Sequence, residues 1–472
     1  MKKTILTGKA DKVLLIQPNY QIRKDAKLWA CSPSLGLLYL AAVLEKEKIP
    51  VEIIDANLHN ITPRAMANLI KKRDAKYAGF SILTPAVNWS INVIKYLPKS
   101  IIKIAGGPHA SSLPNELLKY GFDIAVIGEG EETLLEIAKG KALNQISGIA
   151  YRTNKKIFQT QERPPLNPSK LPLPARHLIE KGGTNKPYFA VQTRFFPWAQ
   201  IVTSRGCPFN CYFCTKDVFG YHFRPRSPEN VLSEIDFLVN KYRIKEINIY
   251  DDCFNFDIKR AEKIMELIAK RGYKLYIRFN NGIRADKVTP TLLKKMKKAG
   301  TDFIAFGVES GNQEILNSIP KGESLLDIRR AVKLTNKVGI PITGFFILGL
   351  IGDTKKTMQD TIDFATSLPF DRAIFTIAVP NPGTRMLQII QQRGGKIFTT
   401  DWQNFHSLSG KMQYSLPGMA TPEEVEKMYR KAYISFYFRP LYLIKHIPNF
   451  FSWSLLPIIS RGLIKIFYTQ KT

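Results

Sequence analysis

Cys207, Cys211 and Cys214 fall within eight residues, in the run Thr203-Ser-Arg-Gly-Cys-Pro-Phe-Asn-Cys-Tyr-Phe-Cys. A cubane iron-sulfur cluster takes one thiolate per iron, so three closely spaced cysteines hold three irons and leave the fourth open to a ligand that is not protein. An iron with an open position binds and activates what it meets. The competing arrangement is a closed zinc site completed by His222, but such sites are usually built from two separated pairs of ligands. Cys31 and Cys253 stand apart from the triple. An odd total of five cysteines, three of them clustered, suits metal ligation in a reducing compartment better than a disulfide framework.

The scaffold that must position these thiols is long. At 472 residues the chain predicts two or three domains, and 44% apolar with 23% charged residues excludes a mainly disordered protein. Met1-Lys-Lys-Thr-Ile-Leu-Thr-Gly-Lys-Ala has no apolar stretch long enough for a signal peptide, and the chain has no membrane-length apolar run. The expected location is the cytoplasm. The net charge of +30 has several readings: nucleic acid, an anionic membrane, acidic substrates, or lysines merely solvated along helices, as in Leu293-Lys-Lys-Met-Lys-Lys. With no RNA-binding module recognisable at either end, nucleic acid is the disfavoured partner.

From residue 12 to about 150, short apolar runs alternate with amphipathic stretches. Strands are expected at Val13 to Gln17, Val51 to Asp55, Tyr77 to Ser81, Ile102 to Ala105 and Ile124 to Ile127, with helices between, giving a doubly wound α/β domain over 1–150. Such sheets bind ligands beyond the carboxyl ends of their strands, where Ser81-Ile-Leu-Thr84, Gly106-Gly-Pro-His-Ala-Ser111 and Gly128-Glu-Gly-Glu-Glu-Thr133 stand. Residues 151–199 form a linker in which Pro164, Pro165, Pro168, Pro172 and Pro174 oppose regular structure. From 200 to 395 the alternation resumes with six strand candidates, which predicts a partial parallel barrel whose functional residues gather at the strands' carboxyl ends. Residues 396–472 are a basic, apolar and mostly helical extension. Between Phe436 and Thr472 it holds Arg439, Lys445, Arg461, Lys465 and Lys471 but no Asp or Glu, so it is expected to pack on the barrel, cap a hydrophobic channel, or lie on an anionic membrane at its inner face.

The cysteine spacing, with Phe213 just before the last cysteine, resembles the signature of the radical S-adenosylmethionine (SAM) superfamily. The glycine turns ahead of it resemble the N-terminal cobalamin-binding domain that precedes many such barrels. This resemblance implies a 4Fe-4S cluster on Cys207, Cys211 and Cys214, which would be the catalytic residues, with SAM chelated to the open iron. It implies SAM contacts from Phe213, from Asp251 or Asp252 in Tyr250-Asp-Asp-Cys-Phe254, from Glu309 and Ser310 in Gly307-Val-Glu-Ser-Gly311, from Gly349, and more weakly from Arg278 and Asn280. Cys253 occupies the variable position of its segment and is expected to be a small buried residue.

For cobalamin the resemblance implies Thr84, Gly106, Gly107, Pro108, His109, Gly128, Glu129, Gly130 and Thr133. The Asp-x-His-x-x-Gly motif that supplies a histidine to cobalt elsewhere is absent, because Asp55-Ala-Asn-Leu-His59 has its histidine too late. His109 is not expected as an axial ligand. The implied activity is reductive cleavage of SAM to a 5'-deoxyadenosyl radical, fed by an external donor such as flavodoxin or ferredoxin, and methylation of an unactivated carbon or phosphorus centre of a small substrate, which the apolar basic tail tilts toward a lipid-like one. Rearrangement, cyclisation or carbon-carbon bond formation, RNA modification, and a non-catalytic sensor are the alternatives.

Overall fold

The computed structural model describes residues 11–20, 31–154, 156–180, 188, 193–440 and 442–444. Five strands, β1 (Val13–Gln17), β2 (Val51–Asp55), β3 (Tyr77–Ser81), β4 (Ile102–Gly106) and β5 (Ile124–Val126), pair in parallel in the order β2-β1-β3-β4-β5. Strands covered on both faces need apolar residues at every position, and β1 is buried throughout. Its side chains alternate between two cores. Leu14 and Ile16 join Met66, Phe80 and Phe122 on one face, while Val13 and Leu15 join Leu37, Ala41 and Leu134 on the other. The sheet is therefore doubly wound, with its order reversing at β1, where a crevice opens at the carboxyl ends.

An antiparallel hairpin, β6 (Ile149–Thr153) and β7 (Lys156–Gln159), continues this sheet beyond β5. The alternation of apolar runs gave no sign of it. β7 is an edge strand with three of four residues exposed, so its sequence carries almost no periodic signal.

The second sheet contains β8 (Trp198–Ile201), β9 (Glu246–Ile249), β10 (Tyr276–Ile283), β11 (Thr301–Glu309), β12 (Ile342–Leu348) and β13 (Arg372–Ile377), parallel and in sequence order. Five helices cover its outer face, and Ser227, Asp257, Thr289, Ser324 and Thr354 cap them by accepting a backbone N–H. Ile247, Ile277, Phe279, Phe306, Phe346 and Phe375 pack outward against these helices in one continuous core. Their neighbours along each strand point inward, which is how a partial barrel acquires a lumen.

Six strands do not close, so β13 has a free edge. The helix Pro422–Tyr437 covers it: the Tyr433 hydroxyl donates to Phe375 O at 2.9 Å and the Tyr437 hydroxyl to Ala373 O at 2.8 Å. Arg439 continues the seam, donating to Thr366 O at 2.7 Å. This part of the C-terminal extension packs on the barrel and satisfies strand carbonyls that would otherwise invite pairing. The rest of the expected membrane or channel segment, beyond 444, lies outside the described residues. Among those described, no helix is long and apolar enough to cross a membrane.

Tyr437 both donates to Ala373 O and accepts from Ala373 N. Tyr437→Phe strips both partners from a buried edge and should cost about 1–3 kcal/mol, seen as a lower midpoint of thermal unfolding. Tyr221→Phe, at a position 48% exposed, should leave the midpoint unchanged.

Candidate active site between the two sheets

The chain leaves β8 through Thr203 and Ser204, and the carboxylate of Asp251 catches it there. Asp251, 2% exposed at the end of β9, accepts from Thr203 N at 2.6 Å, Thr203 Oγ1 at 2.5 Å and Ser204 Oγ at 2.6 Å. Arg260 holds the other side, donating to Thr203 O at 2.5 Å. Ser204–Arg205 then pairs with Arg224–Pro225, closing the base of the cysteine loop. Gly206 turns the chain with φ +79°, and a Cβ at that position would strike His222 O. Only glycine fits.

Cys214 lies within electrostatic reach of both Cys207 and Cys211, on the loop that follows the carboxyl end of β8. Cys207 is buried, Cys211 half-buried and Cys214 exposed. Burial pushes the Cys211 thiol up to about 12, and burial also raises that of Cys214 while Lys216 pulls it down. Exposed surface together with strong desolvation describes a sulfur on the floor of a concavity. Cys207 behaves oppositely: a hydrogen bond with the buried Cys253 thiol lowers it. Among the described residues, no three Cys, His, Asp or Glu side chains converge on one point suited to a single ion. A cubane takes one sulfur on each of three irons, and three thiols spaced along one loop are the donors for that arrangement.

Carboxylates and lysines surround the thiols. Asp252 presents its side chain to Lys216 and Cys207, and burial raises its pKa while Lys216 opposes the shift. Glu309 ends β11 at φ +65°, an unusual conformation for a residue other than glycine, and Lys321 holds it with Nζ 2.8 Å from Oε1. Lys321 also lies 3.0 Å from Glu323, and burial, which disfavours its charge, is outweighed by the two carboxylates. Lys216 and Lys321 did not figure in the sequence reading. Lys216 was detectable, two positions past Cys214, but Lys321 reaches the site only through the fold.

The other expected SAM contacts divide. Asn280 donates to Asn248 Oδ1 at 2.8 Å and leaves its own buried Oδ1 without a partner. Phe213 stands edge-on to Tyr212 at 5.7 Å. Ser310 is 1% exposed and its Oγ accepts from Asn312 N at 3.1 Å, so its hydroxyl shapes the turn. Gly349, φ +73°, backs onto Val425 and Met412 of the C-terminal extension. Arg278 sits near the amino ends of the strands, 3.3 Å from Asp302 and 4.8 Å from the Phe303 ring centre, away from the cysteines.

On the first domain, Gly106 and Gly107 form a turn with little side-chain cover, next to half-buried Thr84 and Pro108 and to Leu83, which is 37% exposed. This partly apolar floor lies at strand carboxyl ends, where a doubly wound sheet takes its ligand. His109 does not face it: the ring is fully buried, 5.3 Å from Trp402 and edge-on, with Nδ1 3.3 Å from Thr84 Oγ1 and Nε2 unpaired. Gly128 donates to Ser111 Oγ at 3.0 Å beside the cysteine loop, Gly130 packs against Leu40, and Thr133 accepts from Arg163 at 2.8 Å. Glu129 and Glu131 turn toward the cysteine loop, bonding Arg205.

Burial lowers the His109 pKa to about 4. Between there and the usual value near 6.5, the unfolded chain binds a proton that the folded one refuses, so this contribution to stability is present above about pH 6.5 and is lost as pH falls toward 4. His109→Gln, which cannot titrate, should show a smaller drop in thermal midpoint between pH 7 and pH 5 than the wild type.

Family models match both halves: the B12 binding domain over residues 26–138 and the Radical SAM superfamily over residues 201–365. An uncharacterized methyltransferase of Pyrococcus horikoshii is 33% identical across 98% of this chain and 99% of its own. The cytidylyl-2-hydroxyethylphosphonate methyltransferase of Streptomyces wedmorensis is 27% identical over 90% of each chain. The anaerobic magnesium-protoporphyrin IX monomethyl ester cyclase of Rubrivivax gelatinosus is 25% identical over 85% of this chain and 73% of its own. The fold is that of the radical SAM methyltransferase TsrM from Kitasatospora setae, solved with cobalamin and a [4Fe-4S] cluster, with TM-score 0.70, 17% identity and coverage of 92% of this chain and 90% of that one. The chain belongs to the family of cobalamin-dependent radical SAM methyltransferases.

Proposed function

We propose that the protein methylates an unactivated carbon of a small, partly apolar molecule held in the barrel lumen. The observation that carries this reading is the meeting of the cysteine loop and the glycine turns of the first domain across one cleft. When bound, the cluster, SAM and cobalamin supply reductive cleavage of a carbon-sulfur bond and a methyl group for transfer. In this reading Cys207, Cys211 and Cys214 hold the cluster. Asp252 accepts hydrogen bonds from the SAM ammonium and Glu309 from its ribose hydroxyls, both charge-assisted. Lys216 and Lys321 offset the negative charge that the thiolates gather in a desolvated site. The floor at Leu83, Thr84, Gly106, Gly107 and Pro108 carries cobalamin without an imidazole from His109.

The lumen wall supports the substrate class. Phe345 and Ile374 are half-buried and face inward between core residues that point outward, while Gln200, Asn248 and Asn280 line the facing strands with uncharged amides. A molecule with an apolar body and neutral polar groups suits such a wall better than a polyanion does. Cyclisation, the activity for which the Rubrivivax gelatinosus relative is named, is the second reading.

The test is anaerobic incubation of cluster- and cobalamin-loaded protein with methyl-labelled SAM and a small-molecule cell extract, followed by mass spectrometry. A labelled low-mass product is expected, and it should disappear with Cys207→Ala, Cys211→Ala or Cys214→Ala together with the absorbance near 400 nm. SAM cleavage whose products never carry the label favours the second reading. Protein that retains no corrin contradicts both.

A further inference from the structure

Arg205 stands two positions before Cys207 and is 3% exposed, yet its whole guanidinium is engaged by the other domain. One Nη lies 2.7 Å from Glu129 Oε1 and the other 2.7 Å from Glu131 Oε1. The rings of Tyr39 and Phe219 flank it at 5.1 and 5.0 Å. Glu129 has a second cationic partner, Arg224 at 2.7 Å, from the strand that closes the loop, and accepts from Leu166 N at 3.1 Å. Further out, Ser112 of the first domain donates to Asp217 of the loop at 2.5 Å, and Gly383 leaves no room for a side chain beside that pair.

We infer that Arg205, clamped by Glu129 and Glu131, is a positioning residue through which the first domain sets the geometry of the cysteine loop. Aromatic packing anchors the middle of the loop to the barrel, with Tyr212 4% exposed in the barrel core and Phe209 and Phe223 against Phe256. Its base is tied on one side to the barrel by Asp251 and on the other to the first domain by this buried ion cluster. Removing one partner from such a cluster leaves a desolvated charge uncompensated, which is costly locally. The carboxylates of the Gly128-Glu-Gly-Glu-Glu turn therefore act on the thiols, through Arg205, rather than on a ligand of the first domain. The relevance to catalysis rests on the reading of the three cysteines as cluster ligands, whereas the clamp itself does not.

Glu131→Gln keeps the shape and removes one charge. In cofactor-free protein, hydrogen exchange of peptides covering 206–223 should accelerate about tenfold while β9 and β12 exchange as in the wild type. In loaded protein KM for SAM should rise several-fold with kcat little changed. Unchanged loop exchange, or faster exchange spread evenly over the barrel, overturns the inference and leaves the pair a general support of the fold. Arg205→Lys, which retains charge but replaces the two-nitrogen fork with a single nitrogen, gives the same reading should Glu131→Gln fail to fold. A wild-type protein that binds no cluster would defeat the cysteine assignment while the exchange result still stood or fell by itself.

Discussion

A loop bearing three thiols presents them together when its base is held in place, and the base of this loop is held by buried charge. Asp251 fixes its first residues to the barrel with three short hydrogen bonds. Arg205, next along the base, fixes it to the first domain through two carboxylates. Gly206 then turns the backbone where any side chain would collide with His222 O. Hydrogen bonds to ionised groups are roughly twice as strong as neutral ones, so a few of them fix the base of the loop, while Tyr212, Phe209 and Phe223 pack its remainder against the barrel. The rest of the architecture serves to keep these groups desolvated and in register.

Two adjacent aspartates illustrate how burial assigns roles. Asp251 is enclosed and spends its oxygens on Thr203 and Ser204, whereas Asp252 keeps an accessible carboxylate beside Lys216 and the thiols. The same division separates Glu129, consumed by Arg205 and Arg224, from Glu309, held by Lys321 at the mouth of the lumen. In each pair one carboxylate builds the site and the other faces it. The proposed chemistry is thus placed between two domains that share an ion cluster.

The order of the parallel strands and their helices was legible because both sheets obey strong periodicities, and the clustering of Cys207, Cys211, Cys214, Asp252 and Glu309 follows once the barrel strands are known to be parallel. What was not legible was pairing across long separations. Nothing in Gly128-Glu-Gly-Glu-Glu indicates that its acids meet an arginine more than seventy residues on. Nothing near His109 indicates that Trp402 covers it. Such partners are set by how two domains dock, and a local pattern carries no record of docking. The hairpin β6–β7 escaped for a different reason, since an exposed edge strand leaves no alternation to read.

The central claim is that three thiolates hold a cubane with one iron open to an exogenous ligand. Mössbauer spectroscopy of anaerobically reconstituted, iron-57-labelled protein, with and without SAM, tests it most directly. The account predicts four irons per chain as a single cluster, one of which separates from the other three when SAM is added. Four irons that do not respond to SAM, or a preparation in which zinc replaces iron at the cysteines, would contradict it.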